Sequence, residues 1–160
     1  MSSCSDSART PFASRSLADC YAPQGGWSRL SPLGLRTFFR LADRWALTPR
    51  EQAILLASTA ASIRRWRRSS ERSRLHRDQI ERISTLIAID AGITALLPPS
   101  RTPAAWLRDA AALPFANGTP PLSRMLGGHV SDLLTVLSLI DYATPPVVKE
   151  SVRRGAVSPE

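Results

Sequence analysis

The chain has 160 residues, 43% of them apolar and 21% charged, and a formal net charge of +8. This balance excludes a disordered polyelectrolyte, and the length suits one compact domain or two small ones sharing a core. No apolar run approaches the ~18 residues of a membrane-spanning helix. Cys4 and Cys20, without a histidine cluster, make neither a zinc site nor a disulfide framework. The expectation is a cytoplasmic protein with no membrane partner, no metal and no cofactor.

Residues 1–30 are rich in Ser, Arg, Ala, Pro and Gly and read as a flexible arm. Ser31-Pro32 predicts a helix start, with Ser31 as cap and Pro32 in the first turn. Leu35, Phe38, Phe39, Ala42 and Trp45 then recur at helical spacing, with Arg36, Arg40 and Asp43 on the other face.

Thr48-Pro49-Arg50-Glu51 has the form of a capping box with proline at the first helical position. Ala53, Ile54, Leu56 and Ala57 give that helix a buried face. Ser58 or Thr59 caps the next, which runs to about Arg68 and turns Ile63 and Trp66 inward. Two short helices joined by a tight turn are the pattern of a helix-turn-helix, whose second helix enters the major groove. Thr59 and Ser62 are short enough to meet base edges, while Arg64, Arg65, Arg67 and Arg68 can fork onto phosphates or guanine.

A long helix is predicted from about Leu75 to Leu97, apolar on two sides. One stripe is Ile80, Ile83, Ile87 and Ala91, and the other is Leu86, Ile89, Ile93 and Leu96. Such a helix is central or shared with a second subunit. Gly92 within it calls for a close helix crossing, and Asp90 reads as an exposed or capped carboxylate. Pro98-Pro99 stops the helix. Thr102-Pro103 starts another, carrying Trp106, Leu107 and Ala110 to Ala112. Residues 113–121 read as a packed loop with Leu113 and Phe115 inward. A short helix from Pro121 ends at Gly127-Gly128, and a last helix spans about Val130 to Tyr142. The fold class is all-α.

Charge is unevenly spread. Ile63 to Arg82 holds eight arginines and three acids, whereas Arg101 to Glu150 holds four bases and four acids. A localised basic patch is the footprint of a polyanion. Catalytic patterns are missing: there is no nucleophile elbow, no P-loop lysine and no carboxylate pair at metal-ligand spacing. The expectation is a protein that is not an enzyme.

Three groups of residues, in order, resemble the Xre/MbcA/ParS-type antitoxins that partner RES-domain toxins. The first is Leu47-Thr48-Pro49, Leu55-Leu56-Ala57-Ser58-Thr59 and Ile63-Arg64-Arg65-Trp66. The second is the run from Leu75 to Ile83. The third is Trp106-Leu107, Phe115, Gly118-Thr119-Pro120-Pro121-Leu122, Gly128, Asp132-Leu133 and Val136. Two departures stand out: Ala57 replaces the glycine that commonly ends the first helix of the motif, and Ala110-Ala111 replace a Pro-Asn pair. The resemblance implies a homodimer that binds operator DNA and neutralises a RES-type, NAD-depleting toxin. The chain then divides into a flexible arm at 1–30, longer than the family leads one to expect, a helix-turn-helix domain at 31–72, a linker and dimerisation helix at 73–98, a toxin-binding domain at 99–145 and a tail at 146–160. Candidate toxin contacts are Gly127, Gly128, His129, Asp132, Arg153 and Arg154. The alternative is a stand-alone helix-turn-helix regulator.

Overall fold

The computed structural model describes residues 26–113 and 117–144, with side chains from Ser31 onward. Seven helices lie among the described residues, and no strand. They are α1 (Gly26–Arg44), α2 (Pro49–Leu55), α3 (Ala60–Arg68), α4 (Arg77–Leu96), α5 (Pro103–Leu107), α6 (Pro121–Met125) and α7 (Val130–Ala143). The long α4 is the axis, packing against α1 on one side and α7 on the other. One continuous core runs through both halves, from Leu35, Phe38 and Trp45 through Leu86, Ile89 and Ile93 to Leu133, Val136 and Ile140.

Helix α1 starts earlier than expected. Pro32 lies inside it, and Ser31 is not its cap. Instead, the fully buried Ser31 Oγ accepts the backbone N–H of Leu75 at 3.0 Å, tying the end of the α3–α4 loop to α1. Helices α1 and α2 end alike. Leu47 N–H bonds Ala42 O while Ala46 N–H bonds Asp43 O; Ser58 N–H bonds Ala53 O while Ala57 N–H bonds Ile54 O. Both are Schellman closures, and both put an alanine in the left-handed region, Ala46 at φ 50° and Ala57 at φ 45°.

Helix α4 buries Ile83, Leu86, Ile89 and Ile93, but Ile87 and Ala91 of the first predicted stripe stay exposed. Gly92 sits where α7 crosses: a Cβ there would overlap Cγ2 of Ile140. Asp90 is not a bare carboxylate. It accepts the indole N–H of the fully buried Trp45 at 2.7 Å and pairs with Arg44. Burial of a tryptophan needs such a partner for its N–H.

Helix α5 is shorter than predicted. Thr102 Oγ1 caps it from Ala105 N–H at 3.3 Å, but Asp109 Oδ1 accepts the N–H of Ala111 at 2.9 Å and holds the chain in a local turn beyond it. An aspartate competing for backbone donors in this way ends a helix. Leu113 is buried as expected, and Phe115 lies outside the described residues.

Candidate nucleic-acid interface

The two helices of the motif are built by their caps. Thr48 Oγ1 accepts Glu51 N–H at 3.3 Å, and Thr48 N–H donates to Glu51 Oε2 at 2.6 Å, the reciprocal bonds of a capping box. Thr59 Oγ1 caps α3 by accepting Ser62 N–H at 3.1 Å, and the two hydroxyls also meet at 3.1 Å. Ile63 and Trp66 are buried against α1 and α2, which fixes the rotation of α3. Thr59, Arg64, Arg65, Arg67 and Arg68 consequently face outward, with Ser62 half-buried.

The four arginines are not equivalent. Arg67 makes a forked bond to Asp43 of α1, at 2.9 and 3.3 Å, and its guanidinium stacks 4.7 Å from the Phe39 ring centroid. It braces α3 on α1 and is already engaged, contrary to the expectation of four open cations. Arg64, Arg65 and Arg68 have no acid or carbonyl partner among the described residues. At the N-terminus of α2, Arg50 is exposed in the same way. A rigid, outward helix with short residues in its first turn and uncommitted guanidinium groups beyond can reach into a groove and clamp phosphates.

Two arginines from later in the chain hold this motif from behind, and sequence periodicity did not single them out. Arg82 of α4 is buried. Its Nε donates to Asp78 Oδ2 at 2.8 Å, and Nη1 reaches the carbonyls of Leu55 at 3.4 Å and Gly128 at 3.1 Å. One guanidinium thus joins the end of α2 to the turn before α7. Arg108, after α5, donates to the carbonyls of Trp45 and Ala46 at 3.0 Å each and lies 3.7 Å from Glu51 of the capping box. Arginine's fork of five donors makes such multi-carbonyl contacts possible.

The C-terminal candidates fall into two groups. Gly127, Gly128 and Asp132 have structural tasks. Asp132 pairs with Arg124 at 3.1 Å, a Cβ on Gly127 would run into that Asp132 carboxylate, and Gly128 adopts φ 86° beside Ile54. His129 begins α7 and is exposed; Arg153 and Arg154 lie outside the described residues. What sequence reasoning missed is the outer face of α7. Leu134 and Tyr142 are 49% and 75% exposed, and with Thr135, Ser138 and Leu139 they line an open groove of about 600 Å³. A second hollow of about 160 Å³ shares Thr135 and Leu139 and continues to Asn117, Thr119, Pro121 and Arg124. The i, i+8 spacing of Leu134 and Tyr142 was the available signal.

Residues 29–88 match the antitoxin Xre-like helix-turn-helix domain. The chain is also 32% identical over 111 residues to the uncharacterized protein y4oB of Sinorhizobium fredii (strain NBRC 101917 / NGR234), covering 69% of this chain and 83% of that one. The chain belongs to the same family as y4oB, and it carries an Xre-like antitoxin helix-turn-helix domain over residues 29–88. No solved structure matches it. The matched range spans most of α1, all of α2 and α3 and the first half of α4. Among the described residues no helix is long and apolar enough to cross a membrane, and no cluster of His, Cys, Asp or Glu could hold a metal ion.

Proposed function

We propose that this chain is the antitoxin of a type II toxin–antitoxin pair. It acts as a homodimer, represses its own operon through α3, and neutralises a RES-type, NAD-depleting toxin through its C-terminal helices. The observation that carries the reading is the separation of surfaces. Arg64, Arg65 and Arg68 stand outward on α3 without acid partners among the described residues, while the apolar exposed face with Leu134 and Tyr142 belongs to a different helix, α7.

Two copies of α3 meet half-sites about 34–36 Å apart on a palindromic operator. Thr59 and Ser62 meet base edges, and the arginines set the register on phosphates. Neutralisation needs no chemistry from this chain. A complementary surface seated on the toxin's cleft suffices, and the α7 face with Leu134, Leu139 and Tyr142, together with His129 at its start, suits an apolar partner.

The test is co-expression with the product of the neighbouring gene. The expected result is co-purification and a normal cellular NAD level, with Leu134→Glu plus Tyr142→Glu releasing the toxin and lowering NAD. A partner that neither co-purifies nor alters NAD would leave the stand-alone regulator as the reading.

A further inference from the structure

The basic segment of the sequence carries more charge than α3 uses. Ile63 to Arg82 contains eight arginines and three acids. Folding consumes every one of those acids: Arg77 takes Glu81 at 2.8 Å, Arg82 takes Asp78 at 2.8 Å, and Arg36 of α1 takes Glu71 at 3.0 Å. Arg67 takes Asp43. Arg64, Arg65, Arg68, Arg72 and Arg74 remain, all exposed and without an acid partner among the described residues.

Two of these five, Arg72 and Arg74, are beyond α3, on the loop that leads to α4. That loop is pinned along its length. Ser73 N–H bonds Ser70 O at 3.1 Å, and Ser73 Oγ donates to Ser69 O at 2.7 Å. Arg36 clips Glu71 to α1. Buried Leu75 closes the loop with its N–H on Ser31 Oγ at 3.0 Å. The backbone is fixed, yet its two guanidinium groups have no bonding partner among the described residues. Like charges this dense cost the folded chain through self-repulsion, and a polyanion removes that cost.

We propose that residues 69–74 form a second phosphate-gripping element, in which Arg72 and Arg74 hold the DNA backbone beside the groove that α3 enters. The proposal rests on the reading of α3 as the DNA-contacting helix and extends it to a loop outside the motif. The ligand is duplex DNA, held through its phosphates rather than its bases.

The experiment measures binding of a labelled duplex from the region upstream of this chain's own gene, across a range of salt concentrations. Each neutralised phosphate adds about 0.9 to the slope of log K against log salt. Arg72→Ala with Arg74→Ala should therefore reduce the steepness of that slope by about 1.8 per protomer, with a melting temperature no lower than that of the wild type. Arg72→Lys with Arg74→Lys should restore most of it, because the contact is charge to phosphate. A wild-type slope in the alanine variant overturns the proposal, as does failure of the lysine variant to recover any of it. If the wild-type protein binds no duplex at all, the α3 reading falls first and takes this one with it. Wild-type binding with an unaltered slope in the variant sinks this proposal alone.

Discussion

Gly92→Ala tests whether the DNA-reading half and the C-terminal half are one packed body. Gly92 lies in α4 under the crossing of α7, and a Cβ there would overlap Ile140 Cγ2 and approach Ile140 Cβ to 3.7 Å. Ile140 is fully buried and β-branched, so its methyl has no alternative rotamer to enter. The helices must separate instead. Overpacking of this kind costs about 1–3 kcal/mol, and alanine's better helix propensity returns about 1 kcal/mol. Because the added Cβ would clash outright with Ile140 Cγ2, the upper end of that range applies and the expected net loss is about 2 kcal/mol, read in urea as a lower midpoint at constant slope. A double-mutant cycle makes the reason visible. Ile140→Ala alone should cost about 2–5 kcal/mol as a cavity. Combined with Gly92→Ala it should cost clearly less than the sum, because the new methyl occupies part of the hole. Additive losses, or a Gly92→Ala variant as stable as wild type, would refute the close crossing.

Ala57→Gly should stabilise the protein by about 0.5–1 kcal/mol, since it relieves a left-handed alanine at the end of α2 at the expense of glycine's backbone entropy; a lower melting temperature would count against the turn geometry. Arg82→Met should cost about 2–4 kcal/mol, because the buried Leu55 carbonyl and the half-buried Gly128 carbonyl lose their shared charged donor; hydrogen exchange of the α2–α3 turn should speed up with it. The Arg101 guanidinium beside Asp109, with the N–H of Ala111, holds that carboxyl below its ordinary value of 3.8. Its contribution to stability is therefore present above that value and lost as pH falls through the lower folded one. Asp109→Asn should shallow the acid limb of the stability curve below about pH 4 and leave neutral-pH stability nearly independent of pH.

What the sequence displayed was local. The Thr48–Glu51 box, the Thr59 cap, the inward pair Ile63 and Trp66, and the stripe from Leu35 to Trp45 all involve residues within a turn or two, and each is in the structure. The need for a close crossing at Gly92 was legible because glycine inside a helix demands a reason. What stayed hidden was pairing across long separations. Asp43 takes Arg67 from 24 residues away, Asp90 takes the Trp45 indole from 45, and Arg108 reaches the Trp45 carbonyl across 63. Periodicity reports which face a residue occupies, not which distant group neutralises it. For the same reason Arg64, Arg65, Arg67 and Arg68 looked uniformly open, although Arg67 is committed to Asp43 once the chain has folded. The α1 start was missed because a proline marks a helix beginning only when no helix precedes it, and the turns from Gly26 to Leu30 do precede it here.

The central claim is that the outer face of α3 binds DNA through arginines that folding leaves without acid partners. The most direct measurement is binding of the upstream duplex by Arg64→Ala with Arg65→Ala, set beside the variant's thermal unfolding. Loss of binding with an unchanged melting temperature is the predicted result. Wild-type affinity in that variant would contradict the account.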